Sequence, residues 1–155
     1  MPEVLLLNMC MIIDEKQKRV LVQDKVKTKV SDWGGITFPG GHVEALECLI
    51  DSTIREVFEE TGLTIRDLTH SGIVHWEHTD NQKRWLIFLY KTSTYSGTLL
   101  DQTEEGKVYW VPVDELLNQP LAPDMLTYLK LFFNDELNEA YATWNGMGNS
   151  AFILR

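Results

Sequence analysis

Glu56, Glu59 and Glu60 fall within five consecutive residues, and Glu44, Glu47 and Asp51 lie shortly before them. On an α-helix turning about 100° per residue, positions i, i+3 and i+4 share one face, so the three carboxylates are expected to point at one small region. Like charges at this spacing cost a helix about 0.2–0.5 kcal/mol per pair, and acids close to a helix C-terminus also oppose its dipole. Local stability does not select this arrangement. A divalent cation reverses its sign, because hard oxygen ligands on a rigid face suit Mg²⁺, or Mn²⁺ in its place, with waters and phosphate oxygens completing the octahedron. Taken alone, the same residues also read as a solvated acidic surface.

The acids belong to a longer frame. Gly41, five residues, Glu47, seven residues, then Arg55-Glu56-Val57, one residue, Glu59-Glu60, one residue, and Gly62-Leu63 resemble at every position the signature of the Nudix family, G-x5-E-x7-R-E-U-x-E-E-x-G-U with U aliphatic. At ordinary residue frequencies a chance match in a chain of this length is on the order of one in ten million. The preceding "WGGITFPGG" resembles the strand and turn that lead into this box. The later "GTLLDQTEEGKVYWVPVDELLNQPLAPDMLTYL" resembles the same region of the MutT-like branch and of its mammalian relatives that hydrolyse oxidised purine nucleoside triphosphates.

The resemblance implies an α/β chain with the Nudix α/β/α sandwich, a mixed central sheet between helices. It implies a Mg²⁺-dependent pyrophosphohydrolase in which Glu56, Glu59 and Glu60 bind the metal with the Gly41 carbonyl. Arg55 is expected to hold Glu56 in place, Glu47 to support the structure, and Glu56 to be the first choice of general base. Glu105 matches an additional metal-binding glutamate of MutT-like relatives, and equally reads as one surface acid beside Glu104. The implied substrate is a nucleoside triphosphate, with an oxidised 8-oxo-dGTP-like purine as the leading case, cut to monophosphate and pyrophosphate. ADP-ribose, a nucleotide sugar or a dinucleoside polyphosphate is the alternative. A non-catalytic nucleotide-sensing module is a third reading, disfavoured by the complete set of box acids.

Two positions depart from the family pattern. Leu46 stands where many boxes carry Gly, so the turn there is expected to differ. Asp124 is followed by Met125, where the mammalian relatives have a second Asp on the purine edge, which removes part of the basis for reading oxidised guanine. Asp124 itself either accepts from the N1 and N2 donors of a guanine-like base or sits in the first turn of a helix and stabilises its dipole. Trp33, Phe38, His75 and Trp76 either stack on a base or belong to the core. Lys25 either touches phosphate or is a solvated loop lysine.

Positioning these residues takes a fold, and the chain of 155 residues, 44% hydrophobic and 24% charged, has the length and composition of one globular domain over 1–155. A net charge of −9, from 14 basic and 23 acidic side chains, argues against a nucleic-acid polymer as partner and for a small nucleotide reached through metal cations. The run "VLLLNMCMII" is too short to span a bilayer and lacks signal-peptide flanks, so no membrane partner is expected. Cys10 and Cys48 lie in apolar segments and read as reduced core thiols, which points to the cytoplasm.

That first run is expected to be a buried strand forming a hairpin with "VLVQ" across the polar "DEKQKR". Lys25, Lys27 and Lys29 then fall in an exposed loop, and a short "ITF" strand enters the Pro39-Gly40-Gly41 turn. A helix follows from Ala45 to Thr61, with Leu46, Ile50, Thr53, Ile54, Val57 and Thr61 on its apolar side and Gly62 ending it. "SGIVHWEH", "RWLIFLYKT" and "KVYWVPV" read as strands, "VDELL" as a short helix, Pro123 to Asn134 as a longer one, and Asn145-Gly146 as a hairpin turn. About seven strands and two or three helices result, as a mixed sheet with helices on its faces.

Overall fold

The N-terminal apolar run forms strand β1 (Val4–Asp14), which from Asn8 onward is buried on both faces, and this accounts for the near-continuous hydrophobicity of that part. Met9 and Met11 join one core cluster, while their alternating neighbours Cys10 and Ile12 join another. The computed structural model describes residues 1–26 and 33–155, so Lys27 and Lys29 lie outside the described residues. After β1 come β2 (Arg19–Lys25), β3 (Gly35–Thr37), α1 (Leu49–Thr61), β4 (Leu63–Arg66), β5 (Thr69–His78) and β6 (Arg84–Thr92). They are followed by β7 (Thr94–Gly97), β8 (Gln102–Thr103), β9 (Gly106–Pro112), a 3₁₀ turn (Val113–Asn118), α2 (Met125–Phe133), β10 (Glu139–Trp144) and β11 (Ile153–Leu154).

The main sheet runs β11-β10-β5-β6-β1-β2-β9-β8, with β3 added to β2, and β4 pairs with β7 apart from it. β1 lies parallel to β6 and β10 parallel to β5, while the remaining pairs are antiparallel, which makes the sheet mixed as expected. The helices cover opposite faces. Val57 of α1 packs in the cluster of Cys10, Leu21 and Ile65, and α2 packs in the cluster of Met9, Val74 and Leu89.

A split in this sheet positions the chemistry. β1 and β2 pair only at Ile13↔Val20 and Asp14↔Arg19 before diverging, and β3 joins the free part of β2 through Gln23↔Thr37. The turn after β3 runs along β1 instead: the Cys10, Asn8 and Val43 amides donate to the Pro39, Gly41 and Leu6 carbonyls at 2.9, 2.8 and 2.9 Å. Gly40 is needed there because a Cβ would collide with the Asn8 backbone carbonyl.

The two helices are anchored differently. α2 buries Met125, Tyr128, Leu129, Leu131 and Phe132, each large apolar side chain worth about 1.5–3 kcal/mol. α1 buries one large hydrophobe, Val57, alongside Ser52, Thr53, Glu60 and Thr61, so hydrogen bonds must hold it. One runs from Asn8 Nδ2 to Ser52 Oγ at 2.9 Å.

Several expectations are corrected. α1 begins at Leu49, not Ala45, because Leu46 takes the left-handed conformation (φ 67°) and stands fully in solvent. Glu47 closes this turn by accepting the Glu44 amide at 2.7 Å. Ile50 is also exposed, so the buried face of the helix rests on Thr53, Val57 and Thr61. Cys10 is buried as expected, but Cys48 is exposed and caps α1, its Sγ accepting the Asp51 amide. Lys25 ends β2 and is no loop residue. β4, β7 and β8 were not expected; each is short, and β4 shows only Leu63 and Ile65 as buried apolar residues. Gly62 ends α1 with φ 80°, and β10 and β11 form the C-terminal antiparallel hairpin around Asn145-Gly146, both as expected. Among the described residues no helix is long and apolar enough to cross a membrane.

Candidate active site

Arg55 is the hub of the acidic end. Its Nε and Nη2 grip Glu47 at 3.0 and 2.7 Å, its Nη1 donates to Glu56 at 3.1 Å and Glu59 at 3.2 Å, and Nη2 also reaches the His42 carbonyl at 3.1 Å. This two-point grip suits the fixed fork of a guanidinium. Arg55 and the Glu44 amide together hold the Glu47 carboxyl down at about 2, while Glu47 above all, with Glu56, pushes the guanidinium up.

The three box acids differ in burial: the Glu60 residue is 5% exposed, the Glu56 side chain 15% and the Glu59 side chain 55%. Glu60 Oε2 accepts from Gln23 Nε2 at 3.0 Å and from the Gly40 amide at 3.2 Å. Burial pushes its carboxyl up to about 8, and the charges of Glu105 and Glu56 add to this against the Gly40 hydrogen bond. Burial also raises Glu56, opposed by Arg55 and helped by Glu59 and Glu105. Gly41 lets the Glu56 carboxylate lie against the turn, since a Cβ there would lie 2.5 Å from it and displace the side chain.

The expected convergence is therefore partial. Glu56 lies against Gly41 and Glu60 bonds to Gly40, whereas Glu59 turns out toward Arg55 and Glu105 pairs with Lys25 at 3.7 Å. Among the described residues no group of three or more His, Cys, Asp or Glu is gathered to hold a metal ion as it stands. The donor set nevertheless fits a hard divalent cation. Its ligand atoms are carboxylate oxygens, burial disfavours the bare charge on two of the acids, and the missing Cβ of Gly41 lets the Glu56 carboxylate lie against the diglycine turn. The Gly41 carbonyl accepts the Asn8 amide and keeps a second lone pair.

Beside these acids, at the diglycine turn, a cavity of about 750 Å³ opens, lined there by Asn8, Gln23, Lys25, Gly40 and Gly41. Its far end is aromatic: Trp33, Trp76, Trp85, Tyr128 and Trp144, with Asp124 among them. Trp144 stands edge-on to His78 at 4.5 Å, and Trp33 is fixed by its Nε1 donating to the Pro123 carbonyl at 2.9 Å. Asp124 occupies the N-cap position of α2 in the left-handed conformation (φ 67°), and its side chain makes no capping hydrogen bond. Stabilising the helix dipole, one of its two expected roles, needs no such hydrogen bond, so this position at the N-terminus of α2 leaves both roles open to it. Its carboxyl faces the cavity half-buried, and burial raises its pKa.

The NUDIX domain family model matches residues 6–132, most of the chain. The chain belongs to the Nudix family. It is 35% identical over 88 residues to the uncharacterized Nudix hydrolase YvcI of Bacillus subtilis, a match covering 55% of this chain and 56% of that relative, so the chain spans little more than half of it. It is 25% identical over 113 residues to the mouse oxidized purine nucleoside triphosphate hydrolase, covering 73% and 70% of the two chains. Among solved structures, a MutT protein from Bacillus halodurans superimposes with a TM-score of 0.76 at 27% identity, covering 97% of each chain. The mixed sheet between two helices is the Nudix fold of that protein.

The Nudix box residues Gly41, Glu47, Arg55, Glu56, Glu59, Glu60 and Gly62 thus sit on one loop and one helix, and Glu105 approaches them from the β8–β9 turn. Lys25 and Trp33 line the cavity, with the Lys25 ammonium 5.8 Å from the Trp33 ring. Phe38 touches the cavity wall but is mainly core, edge-on to Phe132 at 5.2 Å. His75 is not in the cavity; it points to the opposite sheet face from Trp76, against Tyr141 and Arg84. The sequence reading missed Asn8 and Gln23, the buried amides that tie β1 and β2 to the diglycine turn and to Glu60. A polar residue inside each apolar strand run was the available signal. It also missed Trp85, Tyr128 and Trp144, which converge only after folding.

Proposed function

We propose that the chain is a Mg²⁺-dependent pyrophosphohydrolase that cuts a nucleoside triphosphate to a monophosphate and pyrophosphate, with guanine-type purines, including the oxidised 8-oxo form, as the preferred bases. One observation carries this reading: a single cavity runs from the diglycine turn, against which the buried Glu56 and Glu60 carboxylates lie, to a set of tryptophans and an aspartate whose side chain makes no capping hydrogen bond. Phosphates fit the first end and a flat base with N–H donors fits the second. The printed name of the mouse relative, an oxidized purine nucleoside triphosphate hydrolase, agrees with this assignment.

In this reading Glu56, Glu59, Glu60, Glu105 and the Gly41 carbonyl hold the ion, which supplies charge neutralisation of the phosphates and of the leaving group. Arg55 is a positioning residue that fixes Glu56. A water oxygen bonds to phosphorus as the bridging P–O bond breaks, the bond's electron pair leaves with the departing phosphate oxygen, and Glu56 accepts the water's proton. Lys25 offers a positive charge beside the phosphates. Trp33 and Trp76 flank the base, and Asp124 accepts from its N1–H and N2–H.

The test is a nucleotide panel with Mg²⁺. Release of pyrophosphate from guanine-type triphosphates is the expected result. Rapid turnover of ADP-ribose or dinucleoside polyphosphates without turnover of triphosphates overturns the substrate assignment.

A further inference from the structure

Tyr128 lies in the first turn of α2, four residues after its N-cap Asp124 and close enough for the Asp124 charge to act on its phenol. It is 3% exposed, yet it lines the cavity. Its hydroxyl oxygen accepts the Trp76 Nε1–H at 3.1 Å. That bond uses a lone pair and leaves the hydroxyl hydrogen to be given elsewhere. Among the described residues no acceptor takes that hydrogen. Burial keeps the phenol protonated, so it remains a donor. A donor on Tyr128 therefore stands near an acceptor on Asp124, both lining the cavity and, among the described residues, both without a hydrogen-bond partner for those functions.

We propose that Tyr128 is a specificity-determining residue whose O–H, aimed by Trp76, donates to the O6 carbonyl of a 6-oxopurine while Asp124 accepts from the adjacent N1–H and N2–H. This rests on the reading of the cavity as a purine nucleotide site and adds to it the group that reads the base's acceptor. The order of functions along a guanine edge is O6 acceptor, N1–H donor, N2–H donor, which matches one donor beside a carboxylate. A site built to pair a substrate group discriminates against an analogue lacking it, because its own buried polar atom is then left unpaired.

The experiment compares dGTP with its 6-thio analogue, which keeps N1–H and N2–H but replaces O6 with a weakly accepting sulfur, in the wild type and in Tyr128→Phe. The wild type is expected to favour dGTP by about 10-fold in kcat/KM, and the variant to lose that preference. A merely structural loss lowers both substrates together. Tyr128→Phe also strands the Trp76 N–H, so the Trp76→Phe/Tyr128→Phe pair is measured beside it as the variant with neither partner. A preference that persists in both variants, or is absent from a wild type active on dGTP, overturns the role of Tyr128 and leaves the substrate reading standing. A wild type that hydrolyses no nucleoside triphosphate overturns that reading and this proposal with it.

Discussion

At one end of the cavity a single guanidinium, Arg55, grips Glu47, Glu56 and Glu59, while Glu60 is fixed by Gln23 and the Gly40 amide. At the other end Trp33, Trp76, Trp85, Tyr128 and Trp144 form an aromatic wall, and the Asp124 carboxylate has no hydrogen bond among the described residues. The first end is wired: its polar groups already have protein partners, and those partners also hold α1 to the sheet. The second is open, with hydrogen-bonding capacity left for a ligand. On the proposed reading, such a division lets the base preference vary while the phosphate chemistry stays fixed.

The comparison breaks most directly at Glu56. Glu56→Gln keeps the shape and an acceptor for Arg55 but removes the charge and the basic oxygen. Turnover of nucleoside triphosphates is expected to fall by about 10³-fold or more, with little change in thermal stability. A variant retaining more than a tenth of wild-type kcat places the chemistry elsewhere.

The adjacent glycines separate scaffold from chemistry within the wired end. Gly40→Ala drives a Cβ into the backbone of β1, where nothing can move aside cheaply, and is expected to cost several kcal/mol, about 3 or more, in a urea melt. Gly41→Ala meets only the end of the Glu56 side chain, which can rotate away. It is expected to fold near the wild-type midpoint and to lose about 10- to 100-fold in kcat. Equal stability losses in both variants refute the distinction.

At the open end, Asp124→Asn is expected to raise KM for guanine-type triphosphates by about 10-fold with kcat nearly unchanged, because the loss is of binding shared by ground and transition states. A fall in kcat alone ties Asp124 to the chemistry instead.

This division also explains what could be read from the sequence. The wired end is nearly contiguous: Gly41 through Gly62 is one stretch, and its spacing names the family and the acids. The open end draws Trp33 from before β3, Trp76 from β5, Trp85 from β6, Asp124 and Tyr128 from the start of α2, and Trp144 from β10. Only the pairing of β10 with β5 and of β5 with β6 brings those three tryptophans together. Periodicity in a single strand says that Trp76 and His75 face opposite ways, but not which of them faces the ligand. The start of α1 was misread for a related reason: Leu46 continues the apolar period, and only the Glu47 bonds to Glu44 and Arg55 take it out of the helix.

Acid tests the wired end as a unit. Glu47 is held down at about 2 in the folded protein, below its ordinary value of 4.5, chiefly by Arg55. A carboxylate with a depressed folded pKa contributes stability that is fully present above the unfolded value and is lost as pH falls through the folded one. The contribution of Glu47 is therefore expected to vanish between about pH 4.5 and pH 2. Unfolding midpoints across that window should slope less steeply in Glu47→Gln than in the wild type; parallel slopes assign the acid sensitivity to other carboxylates.

The smallest effect concerns the turn that leads into the wired end. Leu46 holds a left-handed backbone with its side chain in solvent. For an L residue with a side chain that conformation costs about 1–2 kcal/mol, whereas glycine adopts it freely and loses about 0.5–1 kcal/mol through greater freedom in the unfolded chain. The difference favours Leu46→Gly by about 0.5–1 kcal/mol, a rise in melting temperature of about 1–4 °C for a chain of this size. Activity is expected to stay at the wild-type level, because Leu46 supplies no contact to Arg55 or the box acids. A lowered melting temperature shows that the exposed leucine stabilises the turn by a contact beyond its backbone strain.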